Sequence, residues 1–234
     1  MMEYPSFIYL QNHKTGCTFV ETYLRNFCNE PLLKYEKHAT LKSKSEKFCF
    51  VNVRNPLNLY RSLFTYGLDR KGFVYHRLCR NGYISLYENG VNGFSDWLSF
   101  VLSPKNAPLL ADEYRQHTAE WLGFMTWRFL RLACPGFEFQ INQVKNFNEL
   151  SDWIEENWTL DAVVRQENIR SDMIQLTKNS LLHVIPNQSK ATEWLNQSKP
   201  INVSYTSTNE INPSQILINK ILALESYIYQ RFYP

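Results

Sequence analysis

Phe7-Ile8-Tyr9-Leu10-Gln11-Asn12-His13-Lys14-Thr15-Gly16-Cys17-Thr18 runs from a short apolar segment through a polar turn into a helix. The apolar residues that follow, Phe19, Val20, Tyr23, Leu24 and Phe27, recur at helical spacing. A loop that opens a helix after a strand offers backbone N–H groups and the positive end of the helix dipole. Gly16 lets the backbone approach a ligand closely. Lys14 adds a point charge, and Thr15 and Thr18 add hydroxyls. Together these residues form an anion cradle. It lacks the leading glycine of a Walker A loop and places Lys before Gly, which disfavours ordinary nucleotide hydrolysis.

The same grammar recurs at Phe48-Cys49-Phe50-Val51-Asn52-Val53, a β-prone run that ends in Arg54-Asn55-Pro56. Asn55 reads as an N-cap and Pro56 as the first helical residue, with Leu59, Leu63 and Phe64 on one apolar face. Two strand–loop–helix units in succession predict an α/β, P-loop-like three-layer fold, with a central parallel sheet flanked by helices. Ligands in such sheets bind beyond the carboxyl ends of the strands, where both polar loops lie. Arg54 can hold a phosphate monoester bidentately, and the Ser62 hydroxyl, eight residues on, can complete that site.

Outward from these units the chain is read as one domain over residues 1–234. Lys71 to Ala107 has weak periodicity and reads as a lid or acceptor-binding insertion around 71–107, because loops on a scaffold carry specificity. Helices are expected over Asp112–Cys134, Phe147–Asn157, Ser171–Leu182 and Ile211–Phe232, and a late strand over Ala162–Arg165. With 234 residues, 44% apolar and 20% charged, the chain can bury a full core. Its net charge of +3 is too small to argue for nucleic acid, although it leaves room for a local basic pocket. The five cysteines, Cys17, Cys28, Cys49, Cys79 and Cys134, show neither C-x-x-C spacing nor metal-ligand spacing, so reduced thiols and no metal site are expected. No apolar run reaches signal or transmembrane length, so a soluble, cytoplasmic protein is expected.

The segment from Phe7 to Thr18 resembles the 5′-phosphosulfate loop of sulfotransferases, often written P-K-[ST]-G-[GT]-T. His13 stands where that family usually has Pro, and Cys17 where it often has Gly or Thr. Phe50-Val51-Asn52-Val53-Arg54-Asn55-Pro56 through Tyr60-Arg61-Ser62 resembles the family's 3′-phosphate motif. Glu36-Lys37-His38-Ala39-Thr40 resembles the K-H-A-T element of the carbohydrate sulfotransferase branch. Val164-Arg165-Gln166-Glu167-Asn168 is similar to that branch's R-x-E-N segment, and Asn202-Val203-Ser204 to its N-x-S.

The resemblance implies 3′-phosphoadenosine 5′-phosphosulfate (PAPS) as the donor and a hydroxyl-bearing acceptor, a carbohydrate or glycolipid. By motif position, Lys14, Thr15, Gly16, Cys17 and Thr18 would hold the phosphosulfate, and Arg54 and Ser62 the 3′-phosphate. Transfer would be an in-line displacement with Lys14 on the leaving oxygen and no metal required. His38 is the first candidate for general base, with His13 its rival and Glu167 a third possibility. Arg165 and Glu167 read as a supporting pair, and His76, His117 and His183 sit in no motif. Two alternatives stay open: a P-loop-like kinase or nucleotide hydrolase using ATP and magnesium, and a non-catalytic carbohydrate- or partner-binding module.

Overall fold

The structure is a computed structural model that describes residues 1–199 and 212–234; Asn202-Val203-Ser204 lies outside the described residues. It is an α/β fold with a five-stranded mixed sheet flanked by helices. The chain divides into two compact units. One comprises Met1–Arg54, Arg131–Gly136 and residues 157–199; the other comprises Asn55–Leu130, Phe137–Glu156 and residues 212–234.

The first unit holds the sheet. Its strands are β1 (Met2–Glu3), β2 (Phe7–Leu10), β3 (Lys34–Tyr35), β4 (Phe48–Val53) and β5 (Ala162–Arg165), in the spatial order β3-β1-β2-β4-β5. β2, β4 and β5 run parallel, with Tyr9 opposite Phe50 and Asn52 opposite Val164. β1 pairs antiparallel with both β2 and β3. The sheet is therefore mixed, where the sequence predicts a parallel one. Among the described strands β1 alone runs against the others; it and its neighbour β3 are each two residues long, too short to carry a readable alternation.

All four residues of β2 are buried, as expected of a strand covered on both faces. The register puts Phe7 and Tyr9 of β2, Phe50 of β4 and Val164 of β5 on one face, and all of them enter the same core cluster. That face packs on helix α1 (Cys17–Phe27), which contributes Phe19, Val20, Tyr23 and Leu24. It also packs on Met173 and Leu176 of the helix Ile169–Asn179, and on Ala191 and Leu195 of the helix Gln188–Gln197. Tyr9 stacks on Phe50 with ring centroids 4.8 Å apart. Burying each such aromatic stabilises the unit by about 1.5–3 kcal/mol.

The second unit is helical. α2 (Pro56–Leu68) begins as predicted: Asn55 is its N-cap, accepting from the Asn58 amide, and Pro56 opens the first turn. The weakly periodic stretch 71–107 resolves into α3 (Phe73–Arg80), two 3₁₀ turns, α4 (Phe94–Val101) and a third 3₁₀ turn. No element there exceeds eight residues, so no long pattern builds up. The stretch nevertheless has its own packing, with Phe64 against Tyr87, Phe94 and Trp97 at 5.3–5.7 Å.

Two expected helices are each broken in two. Asp112–Cys134 contains α5 (Gln116–Ala119) and α6 (Phe124–Ala133), parted where the Gly123 amide donates to the Leu224 carbonyl at 2.8 Å. The C-terminal helix divides into Gln215–Leu224 and Ser226–Phe232, with Glu225 between them turned inward and 0% exposed. Its carboxylate accepts from the Met125 and Thr126 amides and from the Thr126 and Tyr60 hydroxyls, at 2.6–3.1 Å. It thereby caps the first turn of α6. By contrast, Phe147–Asn157 and Ala162–Arg165 form with the expected bounds. The helix expected over Ser171–Leu182 spans Ile169–Asn179.

Candidate functional site

The polar turn between β2 and α1 is held from beneath by a chain of buried hydrogen bonds. Burial raises the Tyr9 phenol well above its usual range, so it remains a donor, and it donates to Asn52 Oδ1 at 2.7 Å. Asn52 Nδ2 in turn donates to the Thr15 carbonyl at 3.2 Å. Asn52 is 0% exposed, and both ends of its amide are committed, which fixes the amide's orientation. Asn52→Val is expected to leave the Tyr9 hydroxyl and the Thr15 carbonyl without this partner, at about 1–3 kcal/mol for each buried group. Thermal unfolding of the variant checks this. A midpoint unchanged from the wild type would remove Asn52 from the loop's support.

Within the turn, the buried Thr15 hydroxyl donates to the Asn12 carbonyl at 2.9 Å, so it serves the loop's shape. Lys14 takes a left-handed backbone, φ 59°, and Gly16 follows at φ 84° as the N-cap of α1. Gly16 has to be glycine on two counts. Its φ disfavours a side chain, and a Cβ there would stand 2.8 Å from Ile169 Cδ1. Cys17 and Thr18 begin the helix, and the Phe19 amide that follows donates back to the Gly16 carbonyl at 3.0 Å. Burial pushes the Cys17 thiol above its ordinary pKa, which leaves it a poor thiolate.

Arg54, at the end of β4, donates from Nη1 to the Lys14 carbonyl at 3.2 Å. The ends of two adjacent parallel strands therefore meet at the Lys14 turn. Ser62 lies on α2 in the second unit, 6% exposed. Arg165 engages Asp172 with two guanidinium nitrogens and its backbone amide, at 2.9–3.1 Å.

His38 joins the turn from a different part of the chain. Ala39 N donates to the Glu36 carbonyl at 3.2 Å, closing a tight turn in which His38 has φ 63°. Three non-glycine residues among those described have positive φ, and two of them are Lys14 and His38. Such backbone costs of order 1–3 kcal/mol and persists where its surroundings over-determine it. His38 Nδ1 lies 2.8 Å from the Gln11 carbonyl. A carbonyl only accepts, so Nδ1 carries the hydrogen and Nε2 is left as the basic nitrogen. The ring stacks on His13 with centroids 3.4 Å apart, so the two candidate bases form one pair.

The start of the loop is tied down by Glu21, which accepts from Gln11 Nε2 and Tyr35 at 2.9–3.1 Å and from Arg25 at 3.0 Å. Burial would raise the Glu21 carboxyl, but these donors outweigh it and hold the group below its ordinary pKa.

No family model, curated protein or solved structure matches the chain. One cavity reaches the loop at Gly16, and another has His38 in its wall. The first, of about 380 Å³, is lined by Gly16, Phe19, Gln166, Asn168 and Ile169 among others. The other, of about 530 Å³, has His38 in its wall beside Lys34, Lys37, Lys42 and Arg131. Sequence reasoning missed Asn52 and this basic cleft. A lone Asn in the buried run Phe48–Val53 was the available signal for the first; for the cleft it was the spacing of Lys34, Lys37 and Lys42, while Arg131 joins them from far along the chain. Among the described residues, no three His, Cys, Asp or Glu side chains are grouped to hold a metal ion. Nor is any described helix long and apolar enough to cross a membrane.

Proposed function

We propose that this chain is a sulfotransferase that moves a sulfuryl group from PAPS to an acceptor hydroxyl, with a carbohydrate or glycoconjugate as the acceptor. The observation that carries the reading is the 3.2 Å contact between the Arg54 guanidinium and the Lys14 carbonyl. It joins the two segments to which anion binding is assigned by motif, which suits a nucleotide with phosphate groups on both its 3′ and 5′ positions. The parallel strands β2, β4 and β5, with both loops beyond their carboxyl ends, support a P-loop-like three-layer arrangement.

In this reading Lys14 and the amides around Gly16, Cys17 and Thr18 hold the phosphosulfate, and Arg54 holds the 3′-phosphate; the part given to Ser62 rests on the motif alone. The acceptor oxygen attacks sulfur in line as the bond from sulfur to the bridging oxygen breaks. Negative charge collects on the departing phosphate, where Lys14 offsets it. The acceptor's proton passes to His38 Nε2, the nitrogen left basic by the Gln11 contact. The products are the sulfate ester and adenosine 3′,5′-bisphosphate. The cavity beside Gly16 has room for more of the nucleotide.

Transfer of radiolabelled sulfate from PAPS to a panel of glycans and glycolipids tests the reading. It is paired with calorimetry of adenosine 3′,5′-bisphosphate against ATP with magnesium. Tight, magnesium-dependent ATP binding without affinity for the bisphosphate would replace it with a kinase or nucleotide hydrolase. Arg54→Ala is expected to weaken binding of adenosine 3′,5′-bisphosphate by roughly 10- to 100-fold, the loss of a charge-assisted contact of about 1.5–3 kcal/mol. Adenosine 5′-phosphosulfate, which lacks the 3′-phosphate, should be affected far less. Equal losses for both ligands would remove the 3′ assignment.

A further inference from the structure

The second cavity, of about 530 Å³, falls within the size range of small-ligand clefts, about 300–1,000 Å³. Lys34, Lys37, Lys42 and Arg131 line it, against a single carboxylate, that of Glu36. The whole chain has a formal net charge of only +3, so this one cleft gathers as much positive charge as the entire molecule nets. The cations are also placed by the backbone. Lys34 lies on β3, which pairs with β1, and Lys37 sits in the turn closed by Ala39 N and the Glu36 carbonyl. Glu36 lies 3.6 Å from Lys34 and offsets part of that one charge. Like charges lining one cleft repel one another, and an anion that enters offsets that repulsion.

His38 forms part of the wall. A ligand seated in the cleft thus lies beside the ring assigned as base. We propose that the cleft binds a negatively charged substituent of the acceptor, a carboxylate, sulfate or phosphate ester on the sugar, and so holds a neighbouring hydroxyl toward His38. The inference rests on the sulfotransferase reading and adds the acceptor's charge to it. It has a physical logic of its own, since an anionic acceptor approaching an anionic donor is repelled unless cations stand beside its path.

The test is calorimetry at low ionic strength with four matched sugars: glucose, glucuronic acid, glucose 6-sulfate and glucose 6-phosphate. Each is titrated into the full chain and into the Lys37→Ala/Lys42→Ala and Lys37→Arg/Lys42→Arg variants. Adenosine 3′,5′-bisphosphate is titrated into the same three proteins. At least one charged sugar is expected to bind roughly tenfold or more tighter than glucose, and the rank of the three identifies the anion. The alanine pair should lose about fivefold per cation removed, the arginine pair should retain the preference, and added salt should erode it. Bisphosphate affinity should stay level across the three proteins.

If the bisphosphate binds but charged and neutral sugars bind alike, or the alanine pair keeps the preference, the inference falls and the sulfotransferase reading stands. If charged sugars are preferred while the bisphosphate does not bind, the acceptor role falls and the cleft is an anion site of another kind. If neither binds, both readings fall.

Discussion

Lys14→Ala is expected to lower turnover with PAPS by about 10²–10³-fold, the loss seen when one preorganised donor to a developing anion is removed. The substitution isolates the side chain. Lys14 has φ 59°, and alanine bears the same left-handed penalty because it too has a Cβ. The fold should therefore keep its stability, and adenosine 3′,5′-bisphosphate should bind with only a modest loss. A fall in kcat that exceeds the change in KM places the ammonium on the leaving oxygen. A variant with full turnover removes Lys14 from the chemistry. One that loses binding and turnover in equal measure makes Lys14 a ground-state contact.

The second large effect concerns stability. Glu225→Ala is expected to destabilise the fold by about 3–5 kcal/mol, because it strips the acceptor from a buried, fully engaged set of donors. The Tyr60 and Thr126 hydroxyls and the Met125 and Thr126 amides all converge on that carboxylate. For a chain of this size each kcal/mol moves the melting midpoint by about 2–4 °C, so the variant should melt on the order of 10 °C lower. Gly123→Ala should do comparable damage by another route, since a Cβ at Gly123 would stand 2.2 Å from the Glu225 carboxyl carbon. Melting curves that superimpose on the wild type would show that the network is dispensable.

Glu225 also predicts a pH effect. Burial raises its pKa above 4.5, against the pull of its four donors. A carboxyl raised on folding favours the native state while protonated. That contribution is complete below the unfolded value near 4.5 and is lost as pH rises through the elevated folded value. Glu225→Gln cannot titrate. The advantage of wild type over this variant should therefore shrink as pH rises across the window, and a gap that widens would reverse the sign.

These two sites differ in how far the sequence announced them. The Lys14 turn was legible because strand, glycine and helix follow one another within a dozen residues, and local chemistry dictates each. The Asn55 cap and Pro56 were legible for the same reason. Nothing local marks Glu225. Glutamate is a good helix former, and the surrounding residues continue a helical pattern, so the break there is imposed by α6, whose amides need an acceptor. The short strands β1 and β3 were missed for want of length. At the candidate site, the loop residues could be listed from their motif. The Asn52 bracket, the stacked imidazoles of His13 and His38 and the basic cleft required the chain to be folded first.

The outermost strand has a consequence for how the protein behaves at high concentration. An open sheet border invites a stranger's backbone to add on, and proteins discourage this with brevity and with lysine. β3 does both: it is two residues long, and one of them is the exposed Lys34. The same ammonium lines the basic cleft, so neutralising it to probe ligand affinity also strips a guard against self-association. A Lys34 variant should be compared with the wild type by light scattering before any weakened affinity is credited to the cleft.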